Sequence, residues 1–427
     1  MSFYFPPAKT SFNWLRVVLD SLVSSENFAS QLRSYLSAQQ VIIGDSWVPL
    51  LAKGLKSLQV DLLRRKIIVP GYCCNEFIKA ILLAGMEPFY IDTNARGEME
   101  VSGFESVDPS EILAVLVVNT SGVISDHNSI RAWCEKNNCW LVEDAGYTIL
   151  GIDQNGAPFG SLGHVAVINM SEGKIFPCGG AAWVINDKRL IGSCNSLEES
   201  INFQSPRSIF SEAIQLFIYN VGSSKWGFHI YQLLRKFGLS DLKQKFSSEP
   251  SRYNENYMTG ELEWENRSIQ LTSQHRKELE QIRIRPWNRV RNQCATAILS
   301  RHSNIRLVRL KKVELYKKYL GELLLPVPAI GMPIKLPILL PENVTKSSEF
   351  SGLSKYGVKK QYPSTWPMAT LPLSNSVRFY HQSYTLPLHD SIDNECIRKI
   401  CTDLVGLMGN EKKTTENCKT LDHFLLL

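Results

Sequence analysis

An alternation in the first third of the chain constrains the fold most. Short apolar runs occur at Val41-Ile42-Ile43, Ile67-Ile68-Val69, Phe89-Tyr90-Ile91, Ile112 to Val118 and Trp140-Leu141-Val142, and the segments between them carry apolar residues at helical spacing. Leu51, Leu55 and Leu58 form one such face, Phe77, Ile78, Ile81 and Leu82 a second, and Ile130, Trp133 and Cys134 a third, with Asn75 and Asp126 expected at helix starts. Strands that alternate with helices of ~10–15 residues build βαβ units, and these units give a mainly parallel sheet. Ligands of such a sheet bind beyond the carboxyl ends of its strands, so the residues that close each run are the candidates for chemistry. No G-x-G-x-x-G follows any run, which leaves a dinucleotide site without its phosphate fingerprint.

The run at Trp140 ends on two carboxylates, Glu143 and Asp144, followed by Ala145-Gly146-Tyr147. A further strand, His164 to Asn169, leads into a loop with Ser171 and Lys174, then the paired Gly179-Gly180 and another strand from Ala181. A carboxylate and a lysine brought to one crevice by successive strands is what a pyridoxal phosphate site requires. The lysine carries the cofactor as a Schiff base, and the aspartate pairs with the pyridinium nitrogen. The first run closes on Gly44-Asp45-Ser46 and opens a helix with Pro49 in its first turn. Such a turn offers free backbone N–H groups and the positive end of the helix dipole to a phosphate. The alternative is that Asp45 or Ser46 is an N-cap.

With 427 residues the chain can form two domains. The expected division is a lead-in over 1–36, a large α/β domain over 37–285, a smaller C-terminal domain over 286–409 and a tail over 410–427. Arg285-Pro286-Trp287 marks the hinge. Trp226, Phe228, Leu233 and Phe237 suggest an amphipathic helix in the polar stretch before it. A last helix is expected to be capped by Asp390 or Ser391, with Ile397, Ile400, Leu404 and Val405 turned inward. Between Arg276 and Lys318 stand 13 Lys or Arg against three Glu, while the whole chain carries only +6. This reads as a solvated helical face, or as attraction for an anionic substrate such as a nucleotide sugar. No nucleic-acid recognition motif accompanies the charge. No apolar run approaches the ~18 residues of a membrane span, and Met1 to Thr10 lacks a signal pattern, so the expected location is cytoplasmic. The ten cysteines show no C-x-x-C or other metal spacing, which fits a reducing compartment and no bound metal.

Four passages in order resemble the DegT/DnrJ/EryC1/StrS family. The first is Ile67-Ile68-Val69-Pro70-Gly71-Tyr72-Cys73-Cys74 with Ala80-Ile81-Leu82-Leu83-Ala84-Gly85-Met86-Glu87-Pro88 and Asp92. The others are Glu143-Asp144-Ala145, Lys174 with Gly179-Gly180, and Leu386-Pro387-Leu388-His389. The resemblance implies a fold-type-I pyridoxal-phosphate transferase: a mostly parallel seven-stranded sheet flanked by helices, a smaller C-terminal α+β domain, and a homodimer. It implies Lys174 as the cofactor-bearing base and Asp144 as the partner of the pyridinium nitrogen. It places Gly44, Asp45 and Ser46 at the phosphate turn, with Ser46 as a ligand, and Cys74 where an aromatic ring often stacks on the cofactor. Asn169 replaces the family's phosphate-binding serine, and Asn169 or Ser171 can donate in its place. Tyr147 replaces the usual Gln or His. No G-x-N-x-R segment is found, and Tyr219-Asn220 is the nearest candidate. The implied activity is transfer of an amino group from an amino acid, glutamate first, to a keto-sugar, nucleotide-linked. The alternatives are another carbonyl substrate, a dehydratase (the branch in which His typically replaces the lysine), or a non-catalytic homologue with a binding role.

Overall fold

The computed structural model describes residues 12–23, 27–59, 63–171, 173–202, 204–222, 281–325, 334–362, 373–389 and 392–415. A seven-stranded sheet forms the body. Its strands are β1 (Gln40–Gly44), β2 (Lys66–Pro70), β3 (Glu87–Ile91), β4 (Ile112–Val118), β5 (Trp140–Asp144), β6 (Val165–Asn169) and β7 (Ala181–Ile185). They lie in the order β1-β7-β6-β5-β4-β2-β3, all parallel except β7, which runs antiparallel to both β6 and β1. This is the mixed, mainly parallel sheet of fold-type-I pyridoxal-phosphate transferases. Every residue of β4, β6 and β7 is buried, because helices cover both faces; such strands read as unbroken apolar runs rather than alternating ones.

The covering helices follow from the alternation. On one face α3 (Trp47–Ser57), α4 (Asn75–Leu83) and α6 (Ile191–Asn202) pack over Val142, Val165, Val167 and Trp183. On the other, α1 (Trp14–Val23), α2 (Phe28–Leu36) and the later α8 (Arg289–Leu299) cover Ala166, Ile168, Ala182 and Val184. On that same face α5 (His127–Lys136) covers Val115, Val117 and Leu141. The two-residue period of a strand separates these sets. α7 (Ile209–Gly222) rests against α1, with the Trp14 and Phe217 rings edge-on at 4.9 Å.

α8 follows Arg285-Pro286-Trp287, with Asn288 as its N-cap, and its buried side chains join the core around α1 and α2. A separate core begins with Val313 on α9 (His302–Leu320). It encloses a three-stranded antiparallel sheet, β8 (Lys335–Leu339), β9 (Lys359–Lys360) and β10 (Ser383–Pro387), in the order β8-β10-β9. The helix α10 (Ser374–Gln382) docks this unit on the large sheet. Asp92, just beyond β3, accepts the Asn375 N–H at 3.0 Å, the Ser376 N–H at 2.8 Å and the Ser376 hydroxyl at 2.6 Å. A carboxylate from a residue far away in the chain thus caps the helix.

Several expectations change. Cys74, not Asn75, is the N-cap residue of α4. The last helix, α11 (Asn394–Thr415), buries Ile397, Ile400 and Leu404 but leaves Val405 47% exposed, and it runs into the stretch expected to be a tail. Asp390, Ser391, the aromatic residues between Trp226 and Phe237, and 416–427 lie outside the described residues. The basic stretch is not one solvated face: Arg291, Arg309 and Lys312 are buried, and Lys312 donates to the His389 carbonyl at 2.6 Å.

Candidate active site

The strand register sets the carboxyl ends of β1, β6, β5, β4, β2 and β3 along one edge. Gly44 and Asn169 both pair with Ala181, and Asp144 pairs with Val118 on one side and Val167 on the other. Glu143 and Asp144 leave β5 on opposite faces and take opposite roles. Glu143, fully buried, accepts the N–H groups of Gly160 at 2.7 Å, Leu162 at 2.9 Å and Gly163 at 3.3 Å, and so holds the loop before β6. Burial pushes its carboxyl up to about 7 against those three donors. Among the described residues, the Asp144 side chain accepts only the Gly146 N–H, at 2.9 Å. Burial raises its carboxyl above the ordinary value, and the Lys174 charge opposes the rise. Asn119, at the end of β4, donates to the Asp144 carbonyl at 3.3 Å.

The loop that carries Lys174 is closed by backbone geometry. Gly179 donates to the Met170 carbonyl at 2.7 Å and Met170 to the Gly180 carbonyl at 2.9 Å. Gly180 has φ +78°, and a Cβ there would lie 2.0 Å from the Gly44 carbonyl oxygen. Only glycine allows both the backbone conformation and the approach, which brings the turn after β1 against the lysine loop. Lys174 Nζ lies 3.2 Å above the centroid of the Tyr147 ring, a cation–π contact. Asn169 is buried, and its side-chain oxygen accepts the Ser171 N–H at 2.8 Å, so both residues shape the start of this loop.

Cys74, at the N-terminus of α4, feels the charges of Lys174 and Asp144. Burial and the adjacent Glu76 push its thiol up to about 11. At the third corner, Ser46 is the N-cap residue of α3, yet its hydroxyl makes no capping bond and instead donates to Asp45 at 3.1 Å. The N-cap side chain thus leaves the first donors of this helix open. Asp45 does not cap the helix either. It accepts the Arg285 N–H at 3.0 Å and faces Arg207 Nε at 3.2 Å. Tyr219-Asn220 lies on α7, where Asn220 donates to the Phe12 carbonyl at 2.9 Å.

Two site residues were not singled out in the sequence. Gln361 donates to the Tyr147 hydroxyl at 3.1 Å, and Lys335 Nζ lies 5.9 Å from the centroid of the same ring. Both come from the C-terminal unit, and only the pairing of that unit with the large sheet places them. Burial alone would raise the Tyr147 phenol; Lys174, Lys335 and Gln361 together bring it below its ordinary value.

The donor set fits pyridoxal phosphate. A lysine, a strand-end carboxylate and a helix N-terminus with open donors lie along one sheet edge. Two buried acceptors, Asn119 Oδ1 and Gln361 Oε1, have no partner among the described residues. A different cluster, Glu135, His164 and Asp187, could by distance hold a metal ion, but its hydrogen bonds argue against it. His164 Nδ1 accepts the Leu141 N–H at 2.8 Å, so Nε2 bears the proton that faces Glu135 at 2.7 Å, and Arg189 pairs with Asp187 at 2.6 Å.

The fold is that of the fold-type-I pyridoxal-phosphate transferases. Residues 20–207 match the profile of the DegT/DnrJ/EryC1/StrS aminotransferase family, the family that the sequence resembles; three of the four passages lie within it. Aminotransferases of this family use pyridoxal phosphate. A UDP-N-acetyl-3-dehydro-alpha-D-glucosamine 3-aminotransferase of Acidithiobacillus ferrooxidans is 26% identical over 110 residues, which are 26% of this chain. The match spans about 30% of that relative's length. Among solved structures, Helicobacter pylori PseC, an aminotransferase involved in the biosynthesis of pseudoaminic acid, superposes with a TM-score of 0.69 at 14% identity, covering 96% of this chain and 100% of its own. The E. coli GDP-4-keto-6-deoxy-D-mannose-3-dehydratase with bound hydrated PLP gives a TM-score of 0.66 at 11% identity, covering 95% and 100%. At such identities these two likenesses establish the fold alone.

Proposed function

We propose that this chain is a pyridoxal-phosphate-dependent aminotransferase that moves an amino group from an amino acid, glutamate first, to the carbonyl of a nucleotide-linked sugar. The observation that carries the reading is the meeting of Lys174, Asp144 and Tyr147 at the carboxyl edge of the sheet. Lys174 would hold the cofactor covalently and Asp144 its ring nitrogen. The N-terminus of α3 with Ser46, and Asn169 or Ser171, would hold its phosphate. Asp45 builds that turn, and Cys74 would line the ring. When bound, the cofactor supplies an electron sink for the carbanion left at the donor's α-carbon.

The protein supplies the rest. Lys174 takes the proton from the α-carbon and returns it. Asp144, buried and within the field of Lys174, would hold the proton on the cofactor's ring nitrogen. Tyr147 carries Lys174 on its ring face and is held by Gln361, so the amine is oriented before substrate arrives.

The sugar nucleotide is supported by the Acidithiobacillus relative's name and by Lys335, a cation presented at the site by the C-terminal unit. Fold likeness to a dehydratase does not favour dehydration here, because Lys174 occupies the position where that branch carries His. A homodimer belongs to the same reading. Leu15, Leu19 and Leu22 of α1 and Phe210, Phe217 and Ile218 of α7 are exposed and offer it an apolar surface. A cytoplasmic location agrees with the finding that no helix among the described residues is long and apolar enough to cross a membrane.

Absorption spectra of the purified protein before and after glutamate test the activity. The visible band of bound cofactor is expected, with conversion by glutamate and loss in Lys174→Ala. A colourless protein that ignores added cofactor would overturn the reading.

A further inference from the structure

The turn proposed to receive a phosphate already contains an anion. Asp45 is 4% exposed and accepts three hydrogen bonds: the Arg285 N–H at 3.0 Å, the Ser46 hydroxyl at 3.1 Å and Arg207 Nε at 3.2 Å. All three partners are donors, which fits an ionised carboxylate. The close approach of Gly180 to the Gly44 carbonyl and to Asp45 Cα holds the backbone of this turn against the lysine loop. A phosphate at the N-terminus of α3 would stand near it in a region largely shielded from water, where charges interact strongly. The helix end offers only about half a unit of positive charge, which does not offset a carboxylate and a dianion together.

Arg207 supplies the missing charge. It reaches Asp45 from the loop before α7; it also lies 4.0 Å from Glu212, which Arg291 holds at 2.6 Å. Arg291 and Glu212 are almost fully buried and Arg207 is partly so. We infer that Arg207 is a positioning residue for the cofactor phosphate: it neutralises Asp45 so that the turn can hold a dianion on its backbone donors. This rests on the cofactor reading above. It also makes the contribution of Arg207 conditional on Asp45, which a merely structural arginine would not be.

Titration of the full-length protein with pyridoxal phosphate, and in parallel with pyridoxal, which lacks the phosphate, tests this through the visible absorption of the bound form. Arg207→Gln is expected to weaken pyridoxal phosphate by at least about tenfold (~1.4 kcal/mol) and to leave pyridoxal within about twofold. The double variant Asp45→Asn with Arg207→Gln should return to near wild-type affinity. Unchanged phosphate binding in Arg207→Gln, equal loss for both compounds, or no rescue in the double variant would overturn the inference. If Arg207→Gln does not fold, Asp45→Asn alone decides. It should bind pyridoxal phosphate at least as tightly as wild type, and a tenfold loss would overturn the role given to Arg207. Wild type that binds neither compound would overturn the cofactor reading itself, a result distinct from all of these.

Discussion

Glu143→Gln tests the division of labour between the two adjacent carboxylates. The glutamine keeps the shape of the side chain but not its two acceptor oxygens. Glu143 accepts Gly160 through one oxygen and Leu162 and Gly163 through the other, so an amide must turn its NH2 toward at least one of these N–H groups. One buried donor left unmet costs about 1–3 kcal/mol. The cost should depend on pH, and the sign follows from the wild-type carboxyl. Its folded value, near 7, lies above its ordinary 4.5 because burial disfavours the charge. The unfolded chain therefore releases this proton first. Wild-type stability falls as pH rises from about 4.5 to about 7 and is flat on either side, by ~3 kcal/mol at most from this group. Glutamine has no such dependence. Urea unfolding at pH 5 should show the variant less stable by about 1–3 kcal/mol, and by pH 8 the gap should close or reverse. A gap that widens with pH would refute the reasoning. It would mean that the three backbone donors, not burial, dominate this carboxyl.

Two further changes address the site. Asp144→Asn retains an acceptor for the Gly146 N–H but removes a buried charge. The raised carboxyl makes wild type lose stability as pH rises, so above neutrality the cofactor-free variant should melt at or above the wild-type temperature while binding pyridoxal phosphate more weakly; both are read by thermal unfolding and absorbance titration. Gly180→Ala places a Cβ 2.0 Å from the Gly44 carbonyl oxygen at a φ of +78°. It should lose more than the ~1–2 kcal/mol of a left-handed residue and also lose cofactor affinity, because the clash drives the β1 turn from the lysine loop. Wild-type melting and affinity would show that the turn and loop need not touch.

Much of the large sheet was legible because its strands are buried on both faces. Ile112 to Val118 had to be apolar throughout, and the helices between such runs had to repeat every three or four residues. Lys174 and Asp144 were legible for a related reason: each closes or follows such a run, and parallel strands bring their carboxyl ends to one edge. Adjacency hid the difference between Glu143 and Asp144. Both are acidic strand-end residues, and only the two-residue period, with Leu141 facing one core and Val142 the other, sends one into a loop and the other into the site. Val405 and the extension of α11 to Thr415 show the opposite failure, in which helical spacing alone misjudged what the neighbouring elements leave uncovered.

What the sequence hid most completely was charge. Asp45 read as part of a phosphate turn or as an N-cap, and the arginines of the basic stretch as a solvated face or an attraction for an anionic substrate. Their meaning comes from partners far away in the chain: Asp45 with Arg207 and Arg285, Arg291 with Glu212, and Asp92 with Asn375 and Ser376. Apolar periodicity is a local signal because a helix or strand must cover itself. An ion pair needs only that two distant segments arrive together, so it leaves no period to read. Each of these pairs stands at a carboxyl end of the sheet or at the join with the C-terminal unit. Such pairs therefore fix the shape and charge of the site, while the apolar pattern fixes only the frame that brings them together.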